Sequence, residues 1–302
     1  MTPHLIFIVG PTAIGKSALA IKLAKKLNGE IINADSMQVY SNLKILTARP
    51  SAEDHKSVPH HLYGYISGSI RYNVANWCND IAKIIKRNNE NNIYSIIVGG
   101  TGMYIDKLLN GLINMPSIPE NVKKESRQLL KKIGIDNFLD KVRKIDKKAL
   151  NKISNNDSSR LRRIWEVYRH TNKTYTYWLN NKNQDFLYEP KYHIYLFTPN
   201  RLEIYKRVDN RFLKMIDNGA IDEVKKLNSL NIDDSLPIMR AHGVPEITSY
   251  LSGLTTLNEC ITRGQQVTRN YVKRQLTWWK SSTLDFHDCL DQFPSEFDIK
   301  SL

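Results

Sequence analysis

Short apolar runs alternate with amphipathic segments over the first 115 residues of the chain. Residues 5–9 form an apolar run of strand type, and apolar residues at helical spacing follow over residues 18–27. Further strands are predicted at residues 30–34 and 95–98, with a helix over residues 73–86 between them. This alternation predicts an α/β fold with a doubly wound parallel sheet flanked by helices.

The pattern changes at Pro116 and Pro119, after which about sixty residues are rich in Lys and Arg and helical in their spacing. A strand then returns at residues 192–198, and amphipathic helices are predicted over residues 201–230 and 256–280. We therefore predict a core domain of residues 1–115 and 191–302, interrupted by a basic helical insertion domain of residues 116–190.

The first predicted strand leads directly into the sequence G-x-x-x-x-G-K-S, so the sheet is predicted to be of the P-loop NTPase-like kind. In a P-loop, successive backbone N–H groups and a helix N-terminus point at phosphate oxygens. Lys16 can bridge the terminal phosphates, and the Ser17 hydroxyl can bind Mg²⁺. The predicted phosphate-binding residues are Gly10, Pro11, Thr12, Ala13, Ile14, Gly15, Lys16 and Ser17.

The net charge of +14 is larger than binding of a small nucleotide requires. Residues 120–180 contain sixteen Lys or Arg against seven Asp or Glu, so much of the positive charge is localised. A localised basic excess of this size favours a polyanionic partner, of which nucleic acid is the commonest.

The sequence lacks three features, a membrane span, a signal peptide and paired cysteines, and this narrows the class of protein. The chain contains no apolar run approaching 18 residues and no signal-peptide pattern, so we expect no membrane association. Cys78, Cys260 and Cys289 are isolated, and scattered cysteines of this kind are typical of buried thiols in a reducing cytosol.

The carboxylate expected beside a P-loop does not come from the strand at residues 95–98, which runs into Gly99-Gly100-Thr101-Gly102. In P-loop ATPases and GTPases an acidic residue at such a strand end organises Mg²⁺ and water. Asp35, at the end of the strand of residues 30–34, is the alternative. From the residues alone it is a Mg²⁺ organiser, a general base or a loop cap.

The chain resembles the tRNA dimethylallyltransferases in a series of motifs that occur in order over residues 4–280. Besides the P-loop, these are N-A-D-S-M-Q-V-Y at 33–40, T-A-R-P at 47–50, H-H-L at 60–62, V-G-G-T-G-M-Y at 98–104, S-R-L-R-R at 159–163 and T-R-N-Y-V-K-R-Q at 268–275. The D-S-M-Q-V-Y block is much more specific than the P-loop.

The resemblance implies transfer of a dimethylallyl group from dimethylallyl diphosphate to the exocyclic amine of the adenine 3′ of the anticodon in tRNA. The P-loop, with Mg²⁺ as cofactor, then holds the diphosphate leaving group, and no ATP is hydrolysed. Asp35 matches the family's general base, and Thr101 matches a residue that contacts the target nucleotide or the diphosphate. Arg207 or Arg211 matches the diphosphate-binding arginine, and the resemblance does not choose between them.

The resemblance also implies contacts with the anticodon stem-loop of tRNA. The segment at residues 240–246 departs from the commoner G-Y-K/R-E form of the family, which weakens the expectation at Arg240. A monomeric cytoplasmic enzyme is expected. The expected tRNA-binding residues are Asp35, Ser36, Met37, Gln38, Thr101, Lys123, Ser159, Arg160, Leu161, Arg162, Arg163 and Arg240.

Two other enzyme classes and one binding class remain open at this point. A small-molecule kinase would use the same P-loop but lacks its acidic strand end here. An enzyme that prenylates free adenylate would not need the basic segment. A nucleotide-gated RNA-binding protein would show no turnover.

Overall fold

A computed structural model describes residues 4–180, 183–184, 186–187 and 191–298. Contacts between Cα atoms divide the chain into two units, Met1–Leu109 with Phe186–Leu302, and Asn110–Asp185. The boundaries predicted from the sequence lie a few residues further along the chain at both ends. The first unit contains the P-loop, and the second contains most of the basic segment.

Six parallel strands form the sheet of the first unit in the order β3-β2-β4-β1-β7-β8. The predicted parallel α/β fold is thus confirmed, although β3 and β8, of two and three residues, are too short to show a periodic pattern. The strands are β1 (His4–Val9), β2 (Gly29–Asn33), β3 (His60–His61), β4 (Tyr94–Gly99), β5 (Leu112–Ile113), β6 (Asn183–Gln184), β7 (Lys191–Phe197) and β8 (Asp288–Leu290). The pair β5 and β6 is antiparallel and belongs to the second unit.

The helices follow the amphipathic segments, with one difference. The helix predicted over residues 201–230 is two helices, because Gly219 has a left-handed backbone (φ +97°) that interrupts the first and caps the second. The helices are α1 (Lys16–Leu27), α2 (Ala52–Ser57), α3 (Val74–Glu90), α4 (Gly102–Asn110), α5 (Glu120–Ile145), α6 (Ser158–Thr171), α7 (Tyr175–Leu179), α8 (Arg201–Asp217), α9 (Ala220–Ser229), α10 (Val244–Leu251) and α11 (Leu257–Ser281).

Burial on both faces of the sheet fixes where the helices pack. Alternate residues of β1 point to opposite faces: Ile8 joins a core with α1, α8 and α11, whereas Phe7, on the opposite face, is equally buried. Trp77 of α3 is fully buried and donates its ring N–H to the Asn33 carbonyl at the end of β2 (2.8 Å). This bond anchors the end of β2, just before Asp35.

The second unit has its own small core. Helix α5 is kinked at Gly134 (φ +77°), and its second half packs Phe138 and Val142 against Leu161 and Trp165 of α6. Each of these four side chains is less than a tenth exposed. The core therefore consists of apolar positions that recur within a strongly basic sequence.

The three cysteines differ in burial. Cys78 and Cys260 are buried, as expected, but Cys289 in β8 is exposed and is not part of the core.

Across the described residues, the structure contains no helix with both the length and the apolar character that crossing a bilayer requires.

Candidate active site

Two adjoining cavities lie at the carboxyl ends of β1, β2 and β4, where ligands bind in parallel α/β sheets. The P-loop cavity, about 200 Å³, is lined by residues of the P-loop and by Gly99, Gly100, Gln38, Tyr63 and Gln275. The α8 cavity, about 220 Å³, is lined by residues of α8 and α11 and by the turns that follow β2 and precede α10. Both cavities are lined by Thr12, Asp35, Thr47 and Arg211, so they meet at these residues.

Two partly buried cations, Lys16 and Arg211, face the P-loop cavity. Lys16 donates a hydrogen bond to the Pro11 carbonyl (2.6 Å). Burial lowers the pKa of Lys16 to about 7; the charge of Arg211 lowers it further, whereas Asp35 raises it. Burial also lowers the pKa of Arg211, which donates to the Thr12 hydroxyl (2.7 Å). Since a buried cation is costly without a counter-charge, the cavity is suited to an anion.

The structure separates Arg207 from Arg211, the two candidates that the sequence left open. Arg211 reaches the P-loop and lines both cavities. The guanidinium of Arg207 instead lies 3.4 Å from the centre of the Phe293 ring, in a cation–π contact. Arg207 lines neither cavity, so of these two arginines it is Arg211 that can contact an anion in the P-loop cavity.

Asp35 sits in the turn after β2 and lines both cavities. Its Oδ1 accepts backbone hydrogen bonds from Met37 (2.8 Å) and Gln38 (3.3 Å), which cap that turn. The fully buried Asn33 holds the turn from the other side: its Oδ1 accepts from the Asp35 amide (2.8 Å), and its amide donates to the Asp35 carbonyl (2.9 Å). The carboxylate is thus held by one oxygen, and its other oxygen is not used in the cap.

Thr101 connects the turn after β4 to the turn after β2. Its hydroxyl accepts a hydrogen bond from the Ser36 amide (3.1 Å), and its own amide donates to the Ala34 carbonyl (3.2 Å). These two bonds fix the backbone on either side of Asp35. In this structure Thr101 positions the carboxylate, and it lines neither of the two cavities.

Gln275 of α11 joins the P-loop to the turn after β4. Its Oε1 accepts from the Thr12 amide (3.0 Å) and its Nε2 donates to the Gly100 carbonyl (3.0 Å), with the side chain almost fully buried. Sequence reasoning assigned no role to Gln275, and the available signal was its place at the end of the T-R-N-Y-V-K-R-Q motif.

The other residues predicted to face the acceptor lie around the α8 cavity or next to it. Ser36, Met37 and Arg240 line the α8 cavity, and Gln38 lines the P-loop cavity. The side-chain amide of Gln38 is already occupied, because it donates to the Thr47 carbonyl (2.8 Å) and the Ala48 carbonyl (3.2 Å).

The α8 cavity also contains residues that the sequence did not single out. The rings of His242 and Tyr271 lie 4.6 Å apart, and both residues line the cavity with Arg274. Burial, with the nearby charge of Arg274, lowers the pKa of His242. The imidazole is therefore neutral at pH 7, with one nitrogen able to donate and the other to accept a hydrogen bond.

The remaining predicted tRNA-binding residues belong to the second unit. Ser159 and Arg160 are exposed in the first turn of α6, where Arg160 pairs with Asp157 (3.3 Å). Lys123 in α5 pairs with Glu120 (3.5 Å), and Arg162 is partly exposed. These basic side chains are available to a polyanion, since exposed ion pairs of this kind are weak.

Two residues of the S-R-L-R-R segment, Leu161 and Arg163, differ from their neighbours in their surroundings. The side chain of Leu161 is fully buried in the core of the second unit, so the tRNA contact expected at this position stays a prediction and would have to use the backbone. Arg163 is partly buried, and burial lowers its pKa while the buried Glu166 counteracts this. Arg163 therefore has a structural role beside any contact with a ligand.

The donor set at the P-loop fits Mg²⁺ without a dedicated metal cage. Within the described part of the chain, no three or more His, Cys, Asp or Glu side chains form a metal-binding group. The Ser17 hydroxyl and the Asp35 carboxylate both line the P-loop cavity. These are oxygen ligands of the kind that Mg²⁺ takes when substrate phosphates and water complete its shell.

A P-loop at the end of the first strand, beside two partly buried cations and one carboxylate, defines the P-loop class of protein, whose members hold phosphate groups at the edge of a parallel sheet. Comparison with known proteins narrows this class. The model of the IPP transferase family matches residues 38–282, and that of the isopentenyl transferase family matches residues 3–71.

Individual relatives cover almost the whole chain. The tRNA dimethylallyltransferase of Wolbachia pipientis wMel is 43% identical over 98% of this chain and 95% of its own, and that of Ehrlichia chaffeensis is 38% identical over 96% and 95%. The solved tRNA isopentenylpyrophosphate transferase of Bacillus halodurans has a TM-score of 0.68 at 31% identity, covering 99% of this chain and 92% of its own. A eukaryotic dimethylallyltransferase solved while acting on tRNA has a TM-score of 0.81 at 27% identity, over 98% and 75%. The chain belongs to the tRNA dimethylallyltransferase family.

Proposed function

We propose that the protein transfers a dimethylallyl group from dimethylallyl diphosphate to the exocyclic amine of the adenine 3′ of the anticodon in tRNA, releasing diphosphate. The observation that carries the proposal is the position of Asp35. It lies where the P-loop cavity, with its two cations, meets the α8 cavity, so one carboxylate borders both the site for the leaving group and the site for the acceptor.

The P-loop cavity supplies the leaving-group site. Loop amides, Lys16 and Arg211 bind the diphosphate, and their charges stabilise the negative charge that grows on it as the carbon–oxygen bond breaks. Thr12 holds Arg211 through its hydroxyl, which fixes the direction of the guanidinium. Ser17 would hold Mg²⁺, which neutralises phosphate charge when bound.

Asp35 is the group that takes the proton. The adenine amine is a weak nucleophile because its lone pair is delocalised into the ring. As the nitrogen forms a bond to C1 of the dimethylallyl group, the C1–oxygen bond to diphosphate breaks and one amine proton moves to the free oxygen of Asp35. The capping bonds to Oδ1 and the Ser36–Thr101 bond hold the carboxylate in one orientation meanwhile.

Recognition of tRNA combines a buried acceptor site with exposed charge. The target adenine must leave its stack to reach the α8 cavity, so we expect base flipping. Basic side chains of the second unit, with Lys123, Arg160 and Arg162 among them, bind backbone phosphates. We further propose that the enzyme acts as a monomer in the cytoplasm.

The test is transfer of radiolabel from dimethylallyl diphosphate to unmodified tRNA in the presence of Mg²⁺, with AMP as a competing acceptor. Label in tRNA alone is the expected result. Label in AMP alone would assign the protein to enzymes that prenylate free nucleotides. No label in either acceptor, with folded protein, would overturn the proposal and return attention to a kinase.

A further inference from the structure

Helix α8 presents an apolar row to the α8 cavity next to the diphosphate-binding arginine. Val208, Phe212 and Met215 line the cavity, spaced at i, i+4 and i+7, and are 1%, 3% and 8% exposed. Arg211, adjacent to Phe212, points to the P-loop. The helix therefore presents a positive charge to the diphosphate and an apolar row to what the diphosphate carries.

Phe212 is the member of this row that cannot move away. A Cβ atom built on Gly264 of α11 would lie 2.1 Å from Cζ of the Phe212 ring, and one built on Gly243 would lie 3.2 Å from its Cε2. The ring thus packs directly against the backbone of Gly264 and close to that of Gly243. These contacts restrict its movement, so the ring is a rigid part of the cavity wall.

Met215 is less rigid, because methionine is unbranched and adapts its shape to a neighbour. The side chain of Val208 is short and ends close to α8, so it does not extend across the cavity. Among the three apolar side chains, the rigid boundary of the α8 cavity is therefore the phenyl ring of Phe212.

We infer that Phe212 limits the length of the prenyl chain, because its ring bounds the part of the α8 cavity next to Arg211, beside the space that the acceptor base would occupy. This inference rests on the proposed function. An isoprene unit adds five carbons to the chain, and truncation of Phe212 to Ala removes a ring of six. The space released is thus comparable with the space that a geranyl chain would need beyond a dimethylallyl group.

The experiment measures kcat/KM for dimethylallyl diphosphate and for geranyl diphosphate, with the same unmodified tRNA, in the wild type and in Phe212→Ala. Wild type should use dimethylallyl diphosphate and exclude the longer chain. In Phe212→Ala the ratio of geranyl to dimethylallyl transfer should rise by at least about tenfold, which is the low end for one misfitted methylene in an apolar pocket. Leu213→Ala is the matched control, since Leu213 is the next residue of α8 and is exposed.

Phe212→Leu provides a smaller change that preserves an apolar core, and it should give an intermediate ratio. Folding of each variant is checked by thermal unfolding. An unchanged ratio in a folded Phe212→Ala or Phe212→Leu variant would overturn the inference, as would efficient use of geranyl diphosphate by the wild type. A rise in KM for tRNA with an unchanged ratio would assign the ring to the acceptor base instead. Failure of the proposed function is distinct, because the wild type would then transfer no prenyl group to tRNA.

Discussion

Replacement of Asp35 by Asn separates the three roles that a carboxylate at this position can have. The side chain keeps an oxygen that can accept the hydrogen bonds from Met37 and Gln38, at 2.8 and 3.3 Å in the wild type. It loses the second carboxylate oxygen, which is the one free to take a proton. Asp35→Ala loses both functions, so the pair of variants distinguishes a base from a cap.

The expected magnitudes differ between kinetics and stability. Loss of a general base slows transfer by about 10²–10⁴-fold, a barrier increase of at least about 2.7 kcal/mol at 1.36 kcal/mol per factor of ten. The capping bonds contribute about 0.5–1.5 kcal/mol each, so Asp35→Ala should unfold more readily than Asp35→Asn. Both variants should bind tRNA within a few-fold of the wild type, since neither removes a basic side chain.

The assay is single-turnover transfer of label from dimethylallyl diphosphate to tRNA, with thermal unfolding measured in parallel. Near-normal transfer by Asp35→Asn, with slow transfer by Asp35→Ala, would refute the base role and leave Asp35 as a loop cap. Recovery of the Asn variant at high Mg²⁺ concentration would identify a metal organiser instead. Slow transfer at every Mg²⁺ concentration is the expected outcome.

Three further perturbations test the surroundings of Asp35. The pKa of Lys16 is lowered to about 7, so above that pH the lysine must take up a proton when diphosphate binds. The affinity for diphosphate, measured by calorimetry, should therefore fall as the pH rises from 7 to 9. Lys16→Ala should abolish this pH dependence. The Glu side chain of Gln275→Glu cannot donate to the Gly100 carbonyl, and it places a negative charge at the P-loop. KM for dimethylallyl diphosphate should therefore rise about tenfold, consistent with about 1–3 kcal/mol for a lost buried hydrogen bond. The control Gln266→Glu, on the exposed face of α11, should change KM little. Arg160→Gln with Arg162→Gln should weaken tRNA binding, and lower its salt dependence by about one for each lost phosphate contact, without altering diphosphate binding; equal losses of both affinities would indicate misfolding.

The parts of the site that could be predicted from the sequence are those formed by residues adjacent in the chain. A P-loop and a carboxylate at a strand end have local chemistry, and the parallel sheet brings strand ends together. Gln275 and Phe212 lie on helices far along the chain, and no local pattern shows that either will face the P-loop or the α8 cavity. The burial of Leu161 was predictable, because it is the apolar position within S-R-L-R-R and the periodicity of α6 turns it inward.

The missing acidic residue at the end of β4 has a steric cause. A Cβ atom on Gly99 would lie 2.1 Å from the Ala34 carbonyl oxygen, and one on Gly100 would lie 2.1 Å from Nε2 of Gln275. The backbone after β2 and the side chain from α11 thus occupy the space in which a carboxylate at the end of β4 would stand. Because β2 is the neighbour of β4 in the sheet, its turn brings Asp35 to the P-loop cavity from one strand further out. The same close approach that excludes a carboxylate from β4 fixes the turn that supplies one, and it leaves that carboxylate facing the α8 cavity as well as the P-loop cavity.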